Sequence, residues 1–133
     1  MTASKTAPKA WTYDQSTGDL FDPDGRFVGT GYSGKGRTLK DGRNNGKMED
    51  VVATGPTPVG LYTFGPSRTH PRLGPIAMPL TPVDHDARGR SGFFIHGDNS
   101  ENDASLGCPI LGRDYRRRLD STPAGERFFK VVP

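Results

Sequence analysis

Residues 11–32 read WTYDQSTGDLFDPDGRFVGTGY. WTYD, GDLFD and GRFVGTGY alternate apolar and polar residues. QSTG and DPDG separate them, and these are turn sequences with Gly where a positive φ is needed. A period of two sends successive side chains to opposite faces, so the stretch predicts short strands buried on one side. Composition points the same way. The chain has 133 residues, enough for one domain, with 18 Gly and 12 Pro. In a helix interior these residues cost roughly 1 and 3 kcal/mol, which disfavours long helices. Only 32% of the residues are hydrophobic, so the core must come from short strands.

Outward from this stretch the pattern stays β. Residues 1–10 are small, polar and Pro-containing and predict a disordered tail, leaving 11–133 as a single domain. YSGKGRTLKDGRNNGKMED, 32–50, has no periodicity and predicts a long loop. A Pro/Gly corner precedes a strand at Gly60–Phe64, and RLGPIAMPLTP, interrupted by Pro, predicts edge strands or extended loops. SGFFIHG is the best buried strand, RDYRRRL the best helix and RFFKVV a closing strand. The expected fold is mainly β, a sandwich or partly open barrel with one or two short helices.

The formal charge is +3 and the pI near 9.2, with basic and acidic residues interspersed. No basic stripe or nucleic-acid module is visible, so no nucleic-acid partner is expected. A single Cys cannot form an intrachain disulfide. No apolar run resembles a signal peptide or a membrane span, so synthesis in the cytoplasm without membrane insertion is expected.

GFFIHGDNSENDASLGCPILGR, 92–113, carries the chemistry. Cys108 follows a polar loop that favours surface placement over burial in an apolar stripe. A thiol attacks as the thiolate, and an ordinary Cys has a pKa of about 8.5, so it needs a base. His96, at the end of the apolar strand FFI, is mounted to supply one. Gly107 lets the chain turn and exposes the amides of Gly107 and Cys108 to an oxyanion. Pro109 has no N–H to add.

The order of these pieces resembles the L,D-transpeptidases, the YkuD-like cysteine enzymes of peptidoglycan stem peptides. It more closely resembles their branch of toxins exported by type VI secretion systems. The carriers are GYSG (31–34), NN (44–45), GPTPVGLY (55–62), GR and FFIHGD within 89–98, and ASLGCPIL (104–111). The resemblance covers about residues 11–130. The resemblance implies that Cys108 is the nucleophile and His96 the general base, with Ser105 and Gly107 shaping the oxyanion turn. Asp98 orients His96 or holds the loop, and Arg113 binds a substrate carboxylate. Tyr32, Ser33, Asn44 and Asn45 line the cleft, although turn chemistry explains them equally well. It also implies L,D-carboxypeptidase or D-amino-acid exchange activity on tetrapeptide stems, with no cofactor. The implied setting is delivery by a secretion apparatus into the periplasm of a target bacterium, with a cognate immunity protein as partner.

Two other readings compete. A zinc peptidase could use His96 and Asp103 with Cys108, His70 or His85 as third ligand. A wall-binding or interaction module could keep the fold without the chemistry. A papain-like protease fits poorly, because there Cys precedes His.

Overall fold

The computed structural model describes residues 9–133; most of the tail expected at 1–10 lies outside them. The first strands match the alternations. β1 (Trp11–Asp14), β2 (Asp19–Phe21) and β3 (Phe27–Thr30) form an antiparallel meander. Asp14 closes the first turn by accepting from Ser16 N at 2.9 Å and Thr17 N at 3.2 Å. Asp22 does the same in the second, accepting from Asp24 N at 2.9 Å and Arg26 N at 3.0 Å. These are Asx turns, which is why QSTG and DPDG break the strands where they do.

β5 (Gly60–Phe64) and β6 (Arg68–His70) follow one another along the same long partner, β7 (Gly74–Pro82). The C-terminal β10 (Phe128–Val132) runs parallel to β1 and antiparallel to β5, joining the meander to the second half of the sheet. The result is a mainly β, curled, partly open barrel. Tyr13 and Phe129 are both fully buried at its centre and stack with ring centroids 5.7 Å apart. Leu20, Tyr62, Met78, Ile95 and Val131 complete the core around them. α1 (Arg113–Asp120) is the one α-helix among the described residues, and three short 3₁₀ turns accompany it.

β7 differs from the expectation of edge strands or extended loops. It is nine residues long and pairs on both sides, with β5 and β6 along one edge and with β8 (Phe94–Ile95) on the other. Its prolines sit where the ladder needs no N–H. Pro79 accepts from Gly65 N at 3.0 Å at the break between β5 and β6, and Leu80 N turns to Phe93 O at 2.9 Å. Opposite Tyr62 stands Pro82, and the bond there comes from Val83 N to Leu61 O at 2.9 Å. The buried strand expected at SGFFIHG is short, with Ile95 fully enclosed and Phe94 half-buried. The loop at 32–50 is real but ordered by local bonds. It begins with β4 (Tyr32–Ser33), which pairs with β9 (Pro109–Ile110), and carries two of the 3₁₀ turns. This β4–β9 ribbon brings the loop onto the segment around Cys108.

Candidate active site

Cys108 immediately precedes β9, and its backbone is set by one side chain. Ser105 Oγ donates to Cys108 O at 2.7 Å and accepts from Gly107 N at 3.0 Å and Gly34 N at 2.9 Å. Ser33 Oγ, at 2.7 Å, and Thr57 Oγ1, at 2.5 Å, both donate to Gly107 O. All three of these side chains are buried. Ser105→Ala strips three partners at once from a buried hub. It is expected to cost about 1–3 kcal/mol in urea unfolding, because desolvated groups lose their bonds.

The turn explains the glycine. Gly107 has φ 142°, in the region that favours glycine, and a Cβ there would come within 2.3 Å of Arg90 Nη2. The oxyanion expectation needs one correction. Gly107 N–H is already spent on Ser105 Oγ, so it is not free for a substrate. Cys108 N–H has no acceptor among the described residues and remains available.

The thiol accepts from Phe94 N at 3.3 Å and opens on a cavity of about 330 Å³. Val52, Ala53, Phe93 and Leu106 wall that cavity, with Arg90 beneath the loop. Burial pushes the Cys108 thiol above its ordinary range, opposed by the Phe94 N–H and the Arg90 charge. Burial therefore favours the protonated thiol over a preformed ion pair with the imidazole.

His96 ends the strand that carries Phe94, as expected, and lies in parallel register with Ile110. It is 3% exposed, and Nδ1 lies 2.9 Å from Gly97 O. A carbonyl only accepts, so Nδ1 carries the proton and neutral His96 presents a bare Nε2. Burial lowers its pKa, and Arg116 adds to that, while the Gly97 carbonyl works in the other direction. The ring thus stays neutral, as a base must. Nε2 has no hydrogen-bond partner among the described residues, yet it is not sealed in; the buried partnerless side-chain polar atom is Tyr13 Oη. No hydrogen bond joins the ring to Cys108 Sγ. The two residues open on different cavities, that of His96 being about 170 Å³. Cys108 lies two residues before Ile110, the register partner of His96, a strand rise of about 7 Å.

Of the two roles expected for Asp98, the structure shows the second. Its carboxylate accepts from Tyr32 Oη at 2.6 Å, Asn99 N at 2.9 Å and Asn102 Nδ2 at 2.6 Å, and so pins the 98–104 loop. The Nδ1 of His96 goes to Gly97 O instead, because the backbone reaches it first. Tyr32 also accepts from Ala104 N at 2.8 Å, and Arg43 stacks 3.5 Å above its ring. Burial and the Asp98 carboxylate both raise the Tyr32 pKa, so it serves as a neutral donor.

Ser33 faces the back of the Cys108 turn and not the cleft. Asn44 takes φ 56° and its Oδ1 accepts from Ser33 N at 3.2 Å. Asn45 caps a 3₁₀ turn, accepting from Lys47 N at 3.1 Å and donating to Leu39 O at 2.9 Å. Both asparagines are frame residues. Arg113, the exposed first residue of α1, lines a separate cavity of about 540 Å³ with Tyr32, Arg43, Asn44 and Asp98. It does not line the Cys108 cavity, because Pro109–Ile110 carries the chain away before the helix begins.

The zinc set does not assemble. Among the described residues no three His, Cys, Asp or Glu side chains stand together at ligand spacing. His70 Nδ1 accepts from Arg72 N at 3.1 Å, and His85 is engaged with Ala87 N at 3.1 Å and Leu61 O at 2.8 Å. No helix among the described residues is long and apolar enough to cross a membrane. Arg90 is the site residue the sequence reading left without a role; its signal was its place in GR before FFIHGD. No family model matches the chain, and no curated protein is significantly similar to it.

Proposed function

We propose that the protein is a cysteine-dependent acyl-transfer enzyme acting on peptidoglycan tetrapeptide stems, as an L,D-carboxypeptidase and by exchange of the terminal D-amino acid. The observation that carries the proposal is the setting of Cys108. Its sulfur opens on a cavity, its own N–H is unspent, and the neighbouring segment carries His96, an imidazole with a bare Nε2, in register two residues beyond Cys108.

The reaction begins when Sγ attacks the carbonyl carbon of the third, meso-diaminopimelate-type residue. His96 Nε2 takes the thiol proton through one water. The C–S bond forms, the carbonyl electron pair moves to oxygen, and Cys108 N–H donates to that oxyanion. Collapse breaks the C–N bond, and His96 returns the proton to the departing amine of D-Ala. Water, or the amine of a free D-amino acid, then attacks the thioester with His96 again as base, and the thiol is restored. Both outcomes remove donors for cross-linking. The sequence resemblance extends the proposal to an antibacterial effector delivered into a target periplasm, with an immunity protein as partner.

The test is mass spectrometry of a tetrapeptide muropeptide incubated with the reduced protein, with and without D-Met. Loss of D-Ala, or its replacement by D-Met, is expected with the native chain and absent with Cys108→Ala. An unchanged substrate overturns the proposal and leaves a wall-binding module or another acyl substrate.

A further inference from the structure

Arg90 combines two features that rarely coincide. It is 7% exposed, and it forms no ion pair among the described residues. Its guanidinium is met by carbonyls alone. Nη1 donates to Glu49 O at 2.6 Å and Pro56 O at 2.9 Å, and Nη2 to Gly55 O at 3.1 Å and Leu106 O at 3.4 Å. The Phe93 ring lies beside it, 5.1 Å from Cζ to centroid. The nearby Glu49 carboxylate is engaged elsewhere, by Gln15, Val59 N and Arg88. Carbonyl dipoles solvate a cation, but an unpaired buried charge is costly. A hydrophobic residue of similar volume would remove the charge but leave these carbonyls without their donor.

Two facts connect this charge to the reacting sulfur. Arg90 and Cys108 line the same cavity, and the absence of a Cβ on Gly107 is what lets the guanidinium lie against the Cys108 turn. Three of the four carbonyls belong to the 49–56 loop, whose Val52 and Ala53 line that cavity, and the fourth belongs to Leu106, which lines it as well. We propose that Arg90 is the positioning residue of this site: it ties the two cavity walls together and supplies the standing counter-charge for the Cys108 thiolate. The Glu49 and Asp50 carboxylates act on Arg90 without an ion pair, and the anion that forms on Cys108 during the reaction is the one on its own cavity. This rests on Cys108 being the nucleophile, but not on the identity of the substrate.

The experiment reads the thiol directly, so its failure is distinct from failure on the muropeptide. Alkylation of Cys108 by iodoacetamide is followed against pH in the native chain, Arg90→Gln and Arg90→Lys, with folding checked by circular dichroism. Gln keeps hydrogen bonding and loses the charge; Lys keeps the charge and loses the fork. The midpoint in Arg90→Gln is expected about one pH unit higher, with alkylation about tenfold slower at pH 7, while Arg90→Lys stays near the native midpoint. Arg127→Met is the control. Arg127 also donates to several carbonyls, including Phe64 O at 3.1 Å and Gly65 O at 2.9 Å, but it does not line the Cys108 cavity. Its loss is expected to lower stability and leave the midpoint unchanged. A folded Arg90→Gln with the native midpoint overturns the proposal. If Arg90→Gln does not fold, Arg90→Lys decides: a native midpoint supports the counter-charge, and an upward shift of about one unit overturns it.

Discussion

His96→Ala is expected to slow release of D-Ala from tetrapeptide stems by about 10²–10⁴-fold, the usual contribution of a positioned general base. The size of the effect follows from the state of the thiol. Burial holds Cys108 protonated, so little thiolate pre-exists and the base must act in the step itself. The pH profile carries the signature. Burial lowers the His96 pKa, so the acid limb of kcat/KM is expected below the ordinary histidine value of about 6.5, and it disappears in His96→Ala. Stability follows the same sign. The unfolded chain binds a proton near pH 6.5 that the folded chain takes up only at lower pH. The neutral, buried His96 therefore contributes stability above about pH 6.5 that is lost as the pH falls. Urea unfolding at pH 7.5 and 5.5 measures this, and the difference between the two is expected to shrink in His96→Ala. A variant as active as the native chain, with the same acid limb, rules His96 out as the base.

The second large effect is expected at Gly107. Gly107→Ala places a Cβ at φ 142°, within 2.3 Å of Arg90 Nη2. Strained backbone costs about 1–3 kcal/mol, and forcing atoms into a filled space a further ~1–3 kcal/mol. Relief by moving Arg90 is restricted, because its guanidinium is held by carbonyls on both cavity walls. Gly107 O is held as well, by Ser33 and Thr57, so the turn cannot swing away. A loss of several kcal/mol in urea unfolding is expected, with Cys108 alkylation altered in whatever remains folded. A loss below about 0.5 kcal/mol, the level of an ordinary surface change, contradicts the strained turn.

The fold was legible wherever local chemistry decides it. The meander at 11–32 follows from alternation broken by Asp-led turns, and each Asp side chain bonds its own turn. The helix at Arg113–Asp120 and the strand at Phe128–Val132 follow from their own patterns. β7 is not legible from local pattern because Pro ordinarily marks an edge, whereas here Pro79 falls at a ladder break and Pro82 stands opposite a residue that needs no bond from it. Which strands β10 joins was not legible, since a parallel partner 118 positions away in sequence, Trp11 to Phe129, leaves no local trace.

The sequence by itself determined that the chain is β-rich, that it has one thiol, and that a strand-borne histidine precedes it behind a glycine turn. Those properties lie in residue types and in spacings of a few positions, which is the range over which backbone preferences act. The tertiary structure alone decided the protonation and the access. Neutral His96 and a protonated Cys108 come from burial, which depends on side chains distant in sequence. The same packing spent the Gly107 amide on Ser105, turned Asp98 toward Tyr32, put Arg113 on another cavity, and set Arg90 in the lining of the Cys108 cavity. Desolvation and hydrogen-bond partnership are properties of the packed whole, and no window of sequence contains them.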